Sequence, residues 1–176
     1  MKQIPLYSLV IFPTAEQSSL VKHYKQLLKN KIGWFGSANA AAHITIINFD
    51  DDMMLNLHIE QIWEFCQTMA VQTVILNRWD SFGDQTFFIA PDENSQLYLN
   101  TFITNLHQHL GFKVQNAHAH LSIARGLDNY KMKTAYELFR NTEIHLKFLV
   151  DSIYIRKFNE QTKQYSDIVE KISFGK

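Results

Sequence analysis

Of the eight histidines in this chain, His43 and His120 begin the same short pattern: His43-Ile44-Thr45-Ile46 and His120-Leu121-Ser122-Ile123. Paired imidazoles suit phosphodiester cleavage, which needs one group to take a proton from the attacking oxygen and another to give one to the leaving oxygen. An imidazole pKa of about 6.5 lets one ring be neutral and the other protonated near neutral pH. The hydroxyls of Thr45 and Ser122 can donate to the non-bridging oxygens of the phosphate. With eight histidines, one His-x-Ser/Thr arises readily by chance, so the weight rests on the pair.

The elements around the motifs place them in register. Residues 6–13 read as a strand, 15–30 as a helix with Leu20, Tyr24, Leu27 and Leu28 on one stripe, and 31–42 as a loop rich in Gly, Ser and Ala. Residues 43–49 then read as a strand, 57–70 as a helix and 72–82 as an extended segment. The order begins again with a strand at 86–90, a helix at 93–110 and a strand at 118–124. A helix at 129–141, a long strand at 146–158 and a strand at 165–174 follow, the last two joined as a hairpin by the polar turn 159–164. The two motifs are 77 positions apart and the first strands of the two halves 80 apart, so the motifs hold equivalent places in a repeat.

This pattern predicts an α+β fold in one bilobal domain over 1–176. It is a pseudo-two-fold repeat of strand, helix, strand, helix, strand, with halves of about 1–82 and 83–176. Mostly antiparallel sheets would surround a central cleft, and helices would cover the opposite faces. Because side chains alternate along a strand, His43 and Thr45 face the cleft while Ile44 and Ile46 face the helices, and His120 and Ser122 follow the same rule.

Composition narrows the class. Hydrophobic residues make up 46% and charged residues 19%, the balance of a soluble globular protein. Lys plus Arg equals Asp plus Glu at 17 each, which excludes the global positive field that drives non-specific binding to long nucleic acids; a nucleotide, a short RNA or an RNA end is the expected partner. The single cysteine, Cys66, cannot form an internal disulfide and suits a reducing, cytoplasmic setting, where it reads as a buried structural thiol. The apolar run at 6–12 is too short to cross a membrane. A monomer without cofactor is expected.

With these residues in view, the chain resembles the 2H phosphoesterase superfamily, named for two His-x-Thr/Ser motifs, and within it the 2′-5′ RNA ligase and cyclic phosphodiesterase-like proteins. The resemblance spans nearly the whole chain. The segment His118-Ala119-His120-Leu121-Ser122-Ile123-Ala124-Arg125 is similar to the family's second motif. Asp151-Ser152-Ile153-Tyr154-Ile155-Arg156 with Tyr165 is similar to its closing hairpin. The first motif departs from the family by continuing into Ile47-Asn48-Phe49-Asp50 instead of a proline-containing turn. The resemblance implies that His43 and His120 are catalytic, that Thr45 and Ser122 hold the phosphate, and that no metal takes part. It also implies substrates among 2′,3′-cyclic phosphates, 2′-5′ linkages or related cyclic nucleotides, with reverse ligation in some members.

Further candidates carry competing readings. Arg125 could neutralise phosphate, yet five positions after His120 on a straight strand it should face away from the cleft. Tyr154 and Arg156 share the face away from the helices and could line the cleft. Trp34 could stack on a base, although packing of Trp34 and Phe35 under the loop is the simpler expectation. His118-x-His120 is also a metal-site spacing, but no further ligand completes the set, so no metal is expected. Lys22, Lys25, Lys29, Lys131 and Lys133 read as solvated helix faces. Against the enzyme stand two alternatives, a non-catalytic RNA- or nucleotide-binding module using the same cleft and a metal-dependent hydrolase built on His118 and His120.

Overall fold

A computed structural model describes residues 4–113 and 116–175. All eight strands join one antiparallel sheet, in the order β6-β3-β4-β5-β2-β1-β7-β8. The strands are β1 (Tyr7–Ile11), β2 (Ile44–Phe49), β3 (Gln72–Phe82), β4 (Thr86–Pro91), β5 (Leu121–Arg125), β6 (Leu146–Val150), β7 (Ser152–Asn159) and β8 (Gln164–Ser173). The helices are α1 (Ala15–Ile32), α2 (Asp52–Thr68), α3 (Glu93–His109) and α4 (Asn129–Phe139).

Each helix starts at a side-chain cap. Thr14 accepts from the Gln17 amide within a capping box, and Asp51, Asp92 and Asp128 accept from the amides of Met54, Ser95 and Lys131. The Asp51 cap explains why α2 begins five residues before the expected start at 57. The buried face of α1 is Val21, Tyr24, Lys25 and Leu28, whereas the expected stripe residues Leu20 and Leu27 are more than a third exposed. α1 lies beside α4 and α2 beside α3, and one continuous hydrophobic core joins them to the sheet. Among the described residues no helix is long and apolar enough to cross a membrane.

The long strand expected at 146–158 is two strands separated by Asp151 alone. In the sheet order β6 and β7 have five strands between them. Flat, that arrangement would set them about 29 Å apart at roughly 4.8 Å per strand. Residues 150 and 152 are at most about 7 Å apart along the chain. The sheet therefore curls strongly into a half-barrel, and Asp151 is where the chain turns across its opening.

Strand membership crosses the midpoint of the chain. β3 pairs with β4 and β6, while β7 pairs with β1 and β8. One half of the sheet thus takes β3 from the first part of the sequence, and the other takes β7 and β8 from the second. The halves β6-β3-β4-β5 and β2-β1-β7-β8 meet where Ile44 of β2 lies opposite Leu121 of β5.

Candidate active site

Ile44 and Leu121 are the residues that directly follow the two histidines, and both are fully buried on the helix side. Antiparallel register then puts His43 across from Ser122 and Thr45 across from His120, with all four on the opposite face. His43 and His120 become diagonal neighbours, about 7–8 Å apart at the backbone, a gap that one phosphate can occupy.

The two rings are held alike. His43 Nδ1 donates to the Ala41 carbonyl at 2.6 Å and His120 Nδ1 to the His118 carbonyl at 2.7 Å. A carbonyl only accepts, so Nδ1 carries the proton in each ring and Nε2 is left free. The segments that supply these carbonyls are pinned from the preceding helix. Lys25 Nζ of α1 donates to the carbonyls of Ser37 (3.0 Å) and Ala40 (2.8 Å). Gln96 and Asn100 of α3 bond the carbonyl and amide of Ala119 at 3.1 and 2.8 Å. Lys25 is buried, against the expectation of a solvated face, and burial lowers its pKa to about 8, with Arg125 and Arg156 adding to the shift.

The motifs also share a β-bulge. On β2, Leu9 and Val10 of β1 face Ile47 and Thr45, so Ile46 is the extra residue. On β5, Phe87 and Phe88 of β4 face Ala124 and Ser122, so Ile123 is the extra residue. A bulge reverses the alternation beyond it. Asn48 and Arg125, each five residues after its histidine, therefore return to the cleft face, and both line the cavity. This corrects the expectation that Arg125 faces away. The Gly36 carbonyl also accepts from the Arg125 amide at 3.0 Å, in an approach so close that a Cβ on Gly36 would lie 2.9 Å from the Arg125 carbonyl oxygen.

The cavity, about 880 Å³, is lined by His43, Thr45, Asn48, Arg125, Arg156 and Tyr165 among others. His120 and Ser122 lie outside its lining, on the β5 side of the Ile44–Leu121 joint. The His120 ring packs against Phe82 and Phe88, with centroids 4.9 and 5.0 Å away. Tyr154, expected in the cleft, packs edge-on to Phe12 at 4.8 Å and under Lys171, and does not line the cavity. Phe35 is buried as expected, while Trp34 is exposed. Asn48, Ser8 and Ser37 line the cavity without having been singled out. No signal along the sequence singles out Asn48, because the bulge that returns it to the cleft face is set by pairing with β1.

Arg156 is the buried charge of the cavity, whose lining also includes Asp50, Arg125 and Lys163. Its side chain is buried and, among the described residues, bonds only Ser8 Oγ at 3.4 Å and leaves Nε without a partner. Phe12 and Tyr165 flank it at 5.6 and 5.5 Å, and among the described residues no carboxylate pairs with it. Burial lowers its pKa to about 10, so it stays cationic. A buried cation without a counter-ion is costly, and an anionic ligand removes that cost. Burial, followed by the charge of Arg156, lowers the His43 pKa to about 3. His120 is also lowered, chiefly by burial. Both rings are thus neutral near pH 7. Among the described residues no group of three His, Cys, Asp or Glu side chains is placed to hold a metal ion, His118 and His120 included.

A curled antiparallel sheet with two equivalent histidine motifs across its central joint is matched by one family model. The chain belongs to the 2′-5′ RNA ligase superfamily, the 2H phosphoesterases, whose model matches residues 11–162. Among solved structures it is similar to Escherichia coli LigT, with a TM-score of 0.63, 10% identity and 98% of each chain covered. It is also similar to TT0787 of Thermus thermophilus (TM-score 0.56, 10% identity, 97% and 98% covered) and to Usb1 of Kluyveromyces marxianus (0.55, 11%, 98% and 99%). LigT has been solved with 3′-AMP and Usb1 with uridine monophosphate. No curated protein sequence matches the chain.

Proposed function

We propose that this protein is a metal-independent phosphoesterase that hydrolyses a 2′,3′-cyclic phosphate or a 2′-5′ phosphodiester of a nucleotide or RNA end. The observation that carries this reading is the matched pair of Nδ1–carbonyl bonds, which present two Nε2 atoms from diagonal positions on one sheet face. That LigT has been solved with 3′-AMP and Usb1 with uridine monophosphate supports a nucleotide ligand.

In this reading the phosphate enters between the imidazoles, and Arg156, Thr45 and Ser122 hold its non-bridging oxygens. Arg125 adds a second positive charge from the cavity lining. The anion offsets the field of Arg156 and raises the affinity of both rings for protons. His43, in the more cationic surroundings, stays neutral and takes the proton of the attacking water. His120 gains a proton and passes it to the leaving ribose oxygen as the P–O bond breaks, giving a phosphomonoester and a free hydroxyl. With the 5′-hydroxyl of a second RNA end in place of water, attack on a 2′,3′-cyclic phosphate would break the P–O3′ bond, His43 taking the nucleophile's proton and His120 protonating O3′, to give a 2′-5′ linkage.

The test is turnover of a panel of 2′,3′-cyclic nucleotides and 2′-5′-linked dinucleotides in EDTA by the wild type and by His120→Ala. Turnover confined to the wild type is expected. Tight nucleotide binding without any product would replace the enzyme by the binding module.

A further inference from the structure

A second cavity, about 460 Å³, adjoins the first along α1 and shares with it the rim residues Asn39, Ala40 and Ala41. Lys22, Lys25 and Lys29 line it together with Ser18, Ser19 and Gln26, and no carboxylate does. The lysines recur at intervals of three and four, so they lie on one helix face over two turns, about 10 Å. α1 carries four lysines and one glutamate, although the whole chain is neutral. Among the described residues, neither Lys22 nor Lys29 is in an ion pair. Lys25 is committed to the Ser37 and Ala40 carbonyls. Lys22 and Lys29 are therefore the groups available to an outside anion.

From this geometry we infer that the α1 groove binds the phosphates of the nucleotides next to the scissile one, so that the substrate is a single-stranded RNA chain and not a mononucleotide. The inference rests on the cleft being the nucleotide site proposed above. The rim between the cavities is only the segment 39–41, whose Ala41 carbonyl also holds His43. A polyanion lying in the cleft crosses this rim directly into a carboxylate-free row of ammonium groups. Lys22 and Lys29, read from the sequence as part of a solvated helix face, line this groove.

The experiment measures binding, so it does not depend on turnover. A short single-stranded RNA ending in a 3′-phosphate and labelled at its 5′ end is titrated by fluorescence anisotropy, and 3′-AMP is measured by competition. The Lys22→Gln/Lys29→Gln double variant should bind the RNA about tenfold more weakly, with its salt slope reduced by about 1, while 3′-AMP affinity is unchanged. The Lys22→Arg/Lys29→Arg variant should retain binding. Unchanged RNA affinity in the Gln variant, an equal loss for RNA and 3′-AMP, or a wild type that binds RNA no tighter than 3′-AMP would each overturn the inference. A wild type that binds RNA through these lysines yet hydrolyses no substrate would overturn the proposed reaction and leave the groove standing.

Discussion

Ile44 lies directly opposite Leu121, and this buried pair is where the two histidine-bearing strands meet. Its packing therefore sets the distance between the imidazoles. Leu121→Ala should cost about 2–5 kcal/mol of stability, as a cavity at a closed site does. It should also lower kcat/KM by more than Leu146→Ala, an equally buried leucine on β6 at the edge of the sheet, three places from β5. Urea melts together with turnover of a 2′,3′-cyclic nucleotide, measured where both variants are folded, would check this.

His43→Ala and His120→Ala should each lower kcat about 10²–10⁴-fold with circular dichroism unchanged. Because the two rings serve a single proton transfer sequence, the double variant should lose little more than the worse single one. Fully multiplicative losses would mean that the rings act in separate steps.

Arg156 sets stability against binding. Arg156→Met removes a buried guanidinium that has no carboxylate partner, so the free protein should keep or gain thermal stability. The same change should abolish the rise in Tm that inorganic phosphate gives the wild type. Thermal melts across a phosphate series separate the two effects. A large loss of stability without ligand would show that Arg156 is structural.

The depressed His43 pKa predicts an acid-sensitive fold. In the unfolded chain His43 titrates near 6.5, in the folded protein at about 3. Between these values the unfolded state binds more protons, so the stability present above pH 6.5 is lost progressively as pH falls toward 3. His43→Gln, which cannot be protonated there, should show a smaller fall in Tm from pH 7 to pH 4.5 than the wild type. Parallel curves would refute the burial of a neutral ring.

Much of this site could be read from the sequence because it depends on local signals. A hydroxyl two residues after a histidine on a strand shares its face whatever the rest of the fold does, and the element order put both motifs at matching points. What escaped the reading depends on pairing between strands. The bulges at Ile46 and Ile123 are defined by neighbours on β1 and β4, so the return of Asn48 and Arg125 to the cleft could not be seen along one strand. Burial of Lys25 likewise follows from carbonyls 12 and 15 residues away. The division of residues 146–158 follows from the curl of the whole sheet.

The crossing of β3 and of β7 and β8 between the halves bears on the order in which a growing chain can become competent. By Gly126 a ribosome has delivered both histidine motifs and the strands that carry them. Yet β1, all five of whose residues are buried, still has one bare hydrogen-bonding edge, because its partner β7 lies about 150 residues downstream. Until residues 152–159 emerge, that edge is open to pairing with another chain. The strand that closes it also brings Arg156, so the same late contact ends the risk of aggregation and first supplies the buried cation of the cleft.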